Sequence, residues 1–371
     1  MEFIELLKAF PNDWHYDYND AFFSSYDWSV EPQEDLNTLY RKRAEELRQK
    51  HDYLVLFYSG GYDSSNVLYS FLDNGIKIDE IVTWYSQYDK DQTDMMYELK
   101  TFTYDKLKAL KDKYPDQKIT YWEYGQYFPD WHKHITRTGA QDNAMHILGG
   151  GLITMNRLLI DFAHEYNKEW DKLLQAGKSV GFIQGADKPM VRYKDKQWIF
   201  NFHDGIMQGR FTPARQIMDD GSFGSMELFY WAPTPACADI IRKQCHTIKR
   251  KYNPQAQIDF SQIPGAKTPH NPNYGWEIDT INFQFVQTIY PRLWQEGTII
   301  VNERYHDIKS NRNIFGHRDQ WFTDHSNHQS VDLYKNIWQS ANSNSVYQEW
   351  YNDGNDIRSG IRSCLSRNYV I

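Results

Sequence analysis

The sequence predicts an α/β fold: a doubly wound parallel sheet followed by a helical C-terminal region. Three observations predict it. Tyr53–Tyr58 is a continuous apolar run of strand length, the pattern of a strand buried on both faces. Between residues 53 and 189 such runs alternate with helical patterns, which calls for parallel strands joined by right-handed crossovers. The first strand also runs directly into a glycine-serine turn, Ser59-Gly60-Gly61-Tyr62-Asp63-Ser64-Ser65, which opens a helix.

The elements follow in order. Residues 1–32, aromatic with interleaved Asn and Asp, read as an irregular N-terminal cover. A helix spans Gln33–His51. Leu36, Tyr40, Ala44 and Leu47 make its apolar stripe, and Arg41, Arg43, Glu45 and Arg48 occupy the other face. After the 53–58 strand and its turn, Val67, Leu68, Phe71 and Leu72 continue a helix that stops at Asn74-Gly75. Ile78–Trp84 is a second strand, Thr93–Lys113 a charged helix, Lys118–Trp122 a third strand. Residues 140–165 are helical, interrupted by Gly149-Gly150-Gly151, and Ser179–Gln184 is a further strand. A hairpin is expected over 190–202, a strand at Leu228–Trp231 and a helix at Ala236–Tyr252. The domains read as a cover and helix (1–50), a nucleotide-binding unit (51–235) and a mainly helical substrate or lid region (236–371).

Composition narrows the function classes. The chain has 371 residues, 24% charged and 40% hydrophobic, as in globular rather than disordered proteins. A net charge of −8 argues against extended nucleic-acid or anionic-membrane binding. No apolar run reaches the roughly 18 residues of a membrane helix, and the start lacks a basic-then-apolar secretory signal. Three dispersed cysteines make no disulfide framework, so a reducing cytoplasm is expected. Aromatic residues make up 16% of the chain, which predicts aromatic-rich packing and flat pockets.

The 59–65 turn carries the chemistry. Paired glycines let the backbone bend tightly and approach a ligand. The following helix aims its N–H groups and positive dipole end at the same point. Ser59 and Ser64 add hydroxyls, so the turn suits a chain of phosphates. Asp63 fits there if a Mg²⁺ ion bridges the phosphates. The competing reading is an ordinary helix start capped by Asp63 or Ser64.

The motif Ser-Gly-Gly-x-Asp-Ser after a first strand resembles the PP-loop ATP pyrophosphatases, the adenine nucleotide alpha-hydrolase superfamily, which includes asparagine, NAD and GMP synthetases and PAPS reductase. The resemblance covers residues 50–190. It implies a Rossmann-like HUP/PP-loop fold that binds ATP and Mg²⁺ and cleaves ATP to AMP and pyrophosphate. It also implies roles. Ser59, Gly60, Gly61, Tyr62, Ser64, Ser65 and Gly185 surround the phosphates. Thr83, with Val82 and Trp84, lies by the adenine. Asp63 and Asp187 hold the metal, with Asp63 and Lys188 catalytic. The turn Gly185-Ala186-Asp187-Lys188-Pro189 fits the family's second loop, although a plain tight turn with a surface Asp-Lys pair has the same signature. Phe229–Pro235 and the helix after it resemble the PAPS-reductase-related PP-loop proteins of bacteriophages, which implies a host-cytoplasm setting. The reductase's C-terminal Glu-Cys-Gly-Leu-His is not matched: Ser363-Cys364-Leu365-Ser366 stands there instead.

Other polar clusters are candidates for the second substrate. Arg137 and Asn143 precede an apolar helix, and Arg312 and Arg318 sit in a polar, cationic run over 304–321 that reads either as a lid or as a basic surface loop. His317, His325 and His328 do not have zinc-ligand spacing. Cys237 and Cys245 read as buried small hydrophobes on a helix. Residue 2 is Glu, so no nucleophilic cysteine of a glutaminase domain is present there. The resulting expectation is an AMP-forming ligase. It adenylates a carboxylate or carbonyl oxygen of a small molecule or nucleobase, for attack by ammonia, an amine or a nitrogen delivered by a separate protein. The alternatives are a sulfur-transfer or PAPS-reductase-like enzyme and a non-catalytic nucleotide-binding protein. A homodimer is the default assembly.

Overall fold

The computed structural model describes residues 16–17, 19–85, 103–123, 168–185, 189–194, 197–201, 210–211, 225–251, 266–267, 276–278, 288–295 and 368–371. In chain order the elements are β1 (Tyr16–Asp17), α1 (Asp20–Phe23), α2 (Leu36–Lys50), β2 (Tyr53–Phe57), α3 (Tyr62–Leu72), β3 (Glu80–Tyr85) and α4 (Tyr104–Lys113). Then come β4 (Lys118–Glu123), α5 (Lys168–Gln175), β5 (Val180–Gln184), β6 (Met190–Lys194), β7 (Gln197–Asn201), β8 (Arg210–Phe211) and β9 (Ser225–Leu228). The remainder are α6 (Pro235–Lys251), β10 (Ala266–Lys267), β11 (Trp276–Ile278), α7 (Pro291–Gln295) and β12 (Tyr369–Val370).

The central sheet has five strands in the order β4-β3-β2-β5-β9, all parallel. Its first strand is central. The chain moves outward through β3 and β4, then returns to the other side of β2 for β5 and β9. This reversal makes a switch point between β2 and β5, the place where open parallel α/β sheets bind their ligands. Leu54, Val55, Leu56 and Phe57 of β2 are all buried, as the apolar run requires. The two faces are distinguished by adjacent residues of β5. A Cβ on Gly181 would meet the ring of His51, which follows α2, whereas Phe182 packs edge-on to Trp170 of α5.

Helix α2 begins at Asp35, whose Oδ1 accepts from the Thr38 N–H at 2.8 Å. Its expected stripe is buried, but Arg43 is a correction to the expected polar face: it is only 1% exposed. The reason is that α2 packs against α6 as well as α3, leaving no solvent beside Arg43. Its guanidinium donates to the carbonyls of Leu228 (3.1 Å) and Phe229 (3.2 Å), and pairs with Glu46 and Glu227. Glu227, on β9, also binds Lys50 (2.6 Å) and His51 (2.7 Å), so four side chains tie α2 and the turn after it to the sheet edge. At the N-terminal ends of the strands, buried Glu80 accepts from Tyr53 (3.0 Å), Trp170 (2.8 Å) and Thr120, and pairs with Lys118. These two clusters satisfy buried charge and hold the scaffold.

The remaining boundaries shift modestly. Helix α3 ends where expected, with Gly75 at φ +65°. The strand expected at 228–231 is β9, three residues earlier, because the Phe229 N–H already closes the ladder on the Gln184 carbonyl. The described part of the charged helix begins at Tyr104, and residues 140–165 lie outside the described residues. The expected hairpin forms as β6–β7. It belongs to a second, antiparallel sheet, order β10-β11-β6-β7-β12, which the sequence patterns did not announce. Three of its strands come from the C-terminal region, which also supplies helices α6 and α7. Trp28 packs on Phe200 and Tyr369 of this sheet, and Lys249 of α6 donates to the Ile371 carbonyl. No helix among the described residues is long and apolar enough to cross a membrane.

Candidate functional site

The 59–65 turn leaves the C-terminal end of β2 at the switch point. Gly60 adopts φ +81°, a region that disfavours any residue with a side chain. Gly61 caps α3 and offers no side chain to the helix N–H groups, so Asp63 and Ser64 stand in the first turn and neither is the cap. The alternative of an ordinary side-chain-capped helix start is therefore not what forms. A helix that begins on glycine presents its positive end without a built-in acceptor, the arrangement that suits an anion.

Neighbouring elements fix the turn's orientation. Thr103 Oγ1 donates to the Ser59 carbonyl and Lys106 Nζ to the Gly60 carbonyl, each at 2.6 Å. Both loop carbonyls are thus drawn towards the start of α4. The Ser59 and Ser64 hydroxyls meet at 3.1 Å, and the Gly61 N–H donates to Ser59 Oγ at 3.3 Å. Ser65 is buried deeper and bonds Tyr58 at 3.2 Å. Gly185, at the end of β5, lies against the helix start: a Cβ there would sit 3.0 Å from the Asp63 carbonyl group and the Ser64 nitrogen. A side chain at Gly185 would therefore fit only if the Asp63–Ser64 backbone gave way by a few tenths of an ångström.

Asp63 is held by two tyrosines that come much later in the chain. Tyr290, just before α7, donates its hydroxyl to Asp63 Oδ1, and Tyr230, after β9, donates to the Asp63 carbonyl at 3.0 Å. Asn66 Nδ2 supports Tyr230 at 2.9 Å. Tyr40 donates to the Ile289 carbonyl at 2.6 Å and accepts from Gln244 at 2.9 Å. The rings of Tyr40, Tyr230 and Tyr290 pack on one another with centroids 5.7–6.1 Å apart. Burial, followed by the nearby Asp63 charge, holds the Tyr230 and Tyr290 phenols far above their ordinary pKa, so both remain donors.

The structure brings Ser59, Gly60, Gly61, Asp63, Ser64 and Ser65 together in one turn, with Gly185 of the β5 exit against it. Tyr62 is buried, and burial raises its phenol pKa. Val82 and Thr83 are buried on neighbouring β3, with the Val82 carbonyl accepting from the Tyr58 N–H at 2.8 Å. Asp187, Lys188, Arg137, Asn143, Arg312, Arg318 and Cys364 lie outside the described residues. Sequence reasoning missed Thr103, Lys106, Tyr230 and Tyr290. Tyr230 lies in the Phe229–Pro235 segment singled out above, but without a role at Asp63; for Tyr290 the signal was the aromatic excess, which does not say which rings converge.

Among the described residues no trio of His, Cys, Asp or Glu could hold a metal. A single carboxylate, Asp63, with serine hydroxyls is a donor set for a cation that arrives with phosphates rather than for a resident metal cage. Cys237 and Cys245 are free and buried, and burial raises both thiol pKa values, so neither is a poised nucleophile. Comparison of the chain with family models, curated proteins and solved structures returns no match.

Proposed function

We propose that this protein binds ATP–Mg²⁺ in the manner of a PP-loop ATP pyrophosphatase and cleaves it to AMP and pyrophosphate. The observation that carries the reading is the glycine-capped start of α3 at the β2/β5 switch point, with both preceding carbonyls turned to α4 and serine hydroxyls beside the helix N–H groups. An anion placed there meets donors fixed before it arrives, which is how charge on a leaving phosphate is best stabilised. Asp63 would hold Mg²⁺, whose chemistry is to neutralise the developing pyrophosphate charge. Ser59 and Ser64 bind phosphate oxygens, and Gly185 keeps the second loop against the first. In that cleavage a carboxylate or carbonyl oxygen of the substrate attacks the α-phosphorus and pyrophosphate leaves, and a nitrogen nucleophile then attacks the adenylated carbon and displaces AMP.

The test is mass-spectrometric detection of products after incubation with ATP, Mg²⁺ and a metabolite extract, beside an Asp63→Ala control. AMP and pyrophosphate formed only with the intact loop support the proposal. ADP and phosphate would refute α–β cleavage, and binding without turnover would favour a nucleotide-binding module.

A further inference from the structure

The tyrosine cluster behind Asp63 is not explained by packing alone. Tyr40, Tyr230 and Tyr290 are 0–1% exposed. Three buried phenols are a costly way to fill space, since a buried hydroxyl must find a partner and phenylalanine needs none. Here each hydroxyl has one, and two of them converge on a single residue, Asp63. The partners divide the work. Tyr230 takes the main-chain carbonyl and so holds the first turn of α3. Tyr290 takes Oδ1 and so holds the carboxylate. A carboxylate held at Oδ1 by a buried phenol is restrained in the rotation of its side chain. Tyr290 is in turn placed by its neighbour, since the Ile289 carbonyl is bound by Tyr40.

Resting on the nucleotide reading above, we propose that Tyr290 is a positioning residue that orients Asp63 towards the divalent cation accompanying the nucleotide. The segment 288–295, more than 220 residues along the chain, thereby sets the metal affinity of the loop. Partners behind a ligating carboxylate commonly change metal affinity by roughly 10–100-fold when removed.

The experiment titrates Mn²⁺ into the full-length protein saturated with α,β-methylene-ATP, which resists α–β cleavage, with a melting curve for each variant. Tyr290→Phe should weaken Mn²⁺ binding by roughly 10–100-fold while metal-free analogue binds as in the wild type. Asp63→Asn, which still accepts from Tyr290, should show a loss at least as large. Tyr230→Phe, which loses the bond to the Asp63 carbonyl and a hydrogen bond with the Tyr290 hydroxyl, should lower the melting temperature and weaken Mn²⁺ binding by clearly less than Tyr290→Phe does. Tyr40→Phe, loosening Ile289, should give a smaller loss in the direction of Tyr290→Phe, and serves if that variant does not fold. A wild type that binds the analogue while Tyr290→Phe and Tyr40→Phe keep full Mn²⁺ affinity overturns this proposal alone. Equal losses in Tyr230→Phe and Tyr290→Phe also overturn it, by showing a merely structural role. A wild type that binds no analogue overturns the nucleotide reading and this inference with it.

Discussion

Thr103 Oγ1 occupies the space that a side chain on Gly60 would need. An ideal Cβ built on Gly60 lies 2.3 Å from that oxygen and 3.1 Å from the α and β carbons of Thr103. The same oxygen donates to the Ser59 carbonyl. The start of α4 is therefore keyed into the 59–65 turn, and Gly60 is required twice, by its φ of +81° and by its neighbour. Gly60→Ala should destabilise the fold by about 1–3 kcal/mol and abolish nucleotide binding. Adding Thr103→Ala should recover only part of the stability, because the strained φ and the crowding by the main chain of residue 103 remain. Urea unfolding and a nucleotide-binding titration on the single and double variants check both statements.

Two glycines of β5 and its exit give opposite expectations. Gly185→Ala presses on the backbone of Asp63 and Ser64, so it should weaken ATP binding at least tenfold with a stability loss of about 1–3 kcal/mol. Gly181→Ala instead collides with the His51 ring, where the added Cβ would lie 2.5 Å away, and disturbs the His51–Glu227 pair. It should lower stability and leave the affinity of the folded protein for ATP unchanged. Parallel melting curves and binding titrations separate the two.

Acid stability should depend on Glu227. Burial pushes its carboxyl upward, but hydrogen bonds from His51 and Lys50 and the charges of Lys50 and Arg43 outweigh this and lower it from 4.5 to about 2. A carboxyl whose pKa falls on folding stabilises the protein above its unfolded value. That contribution, about 3 kcal/mol at most, is lost as pH falls from about 4.5 towards 2. Glu227→Gln should be less stable at pH 7 and show a flatter decline across that window, read from urea unfolding at a series of pH values.

The sulfur-transfer alternative meets a direct test at the two described cysteines. Cys237 and Cys245 are buried on α6, so native protein should react slowly with thiol reagents at both positions. The Cys237→Ala and Cys245→Ala variants should keep ATP cleavage, with stability losses of about 1–2 kcal/mol each. Loss of cleavage in a variant that retains its melting cooperativity would reinstate sulfur chemistry.

The sequence alone determined the parallel sheet and its turn, because both are written locally. A strand buried on two faces must be apolar throughout, as Leu54–Phe57 is. A loop that bends at positive φ and opens a helix must carry glycine there, as Gly60-Gly61 does. Helix stops such as Asn74-Gly75, and the apolar stripe of α2, were legible for the same reason. Arg43 was not: its burial follows from β9 and α6 closing over a face that looks polar by spacing. The second sheet was hidden because its strands at 266–267, 276–278 and 369–370 are two or three residues long, too short to establish a period. Only the tertiary structure decided that Thr103 and Lys106 would draw the loop carbonyls aside and that Gly185 would touch Asp63. It also brought Tyr290 to the Asp63 carboxylate, since hydrogen bonds across 227 residues leave no trace in local pattern and exist only once the chain has closed on itself.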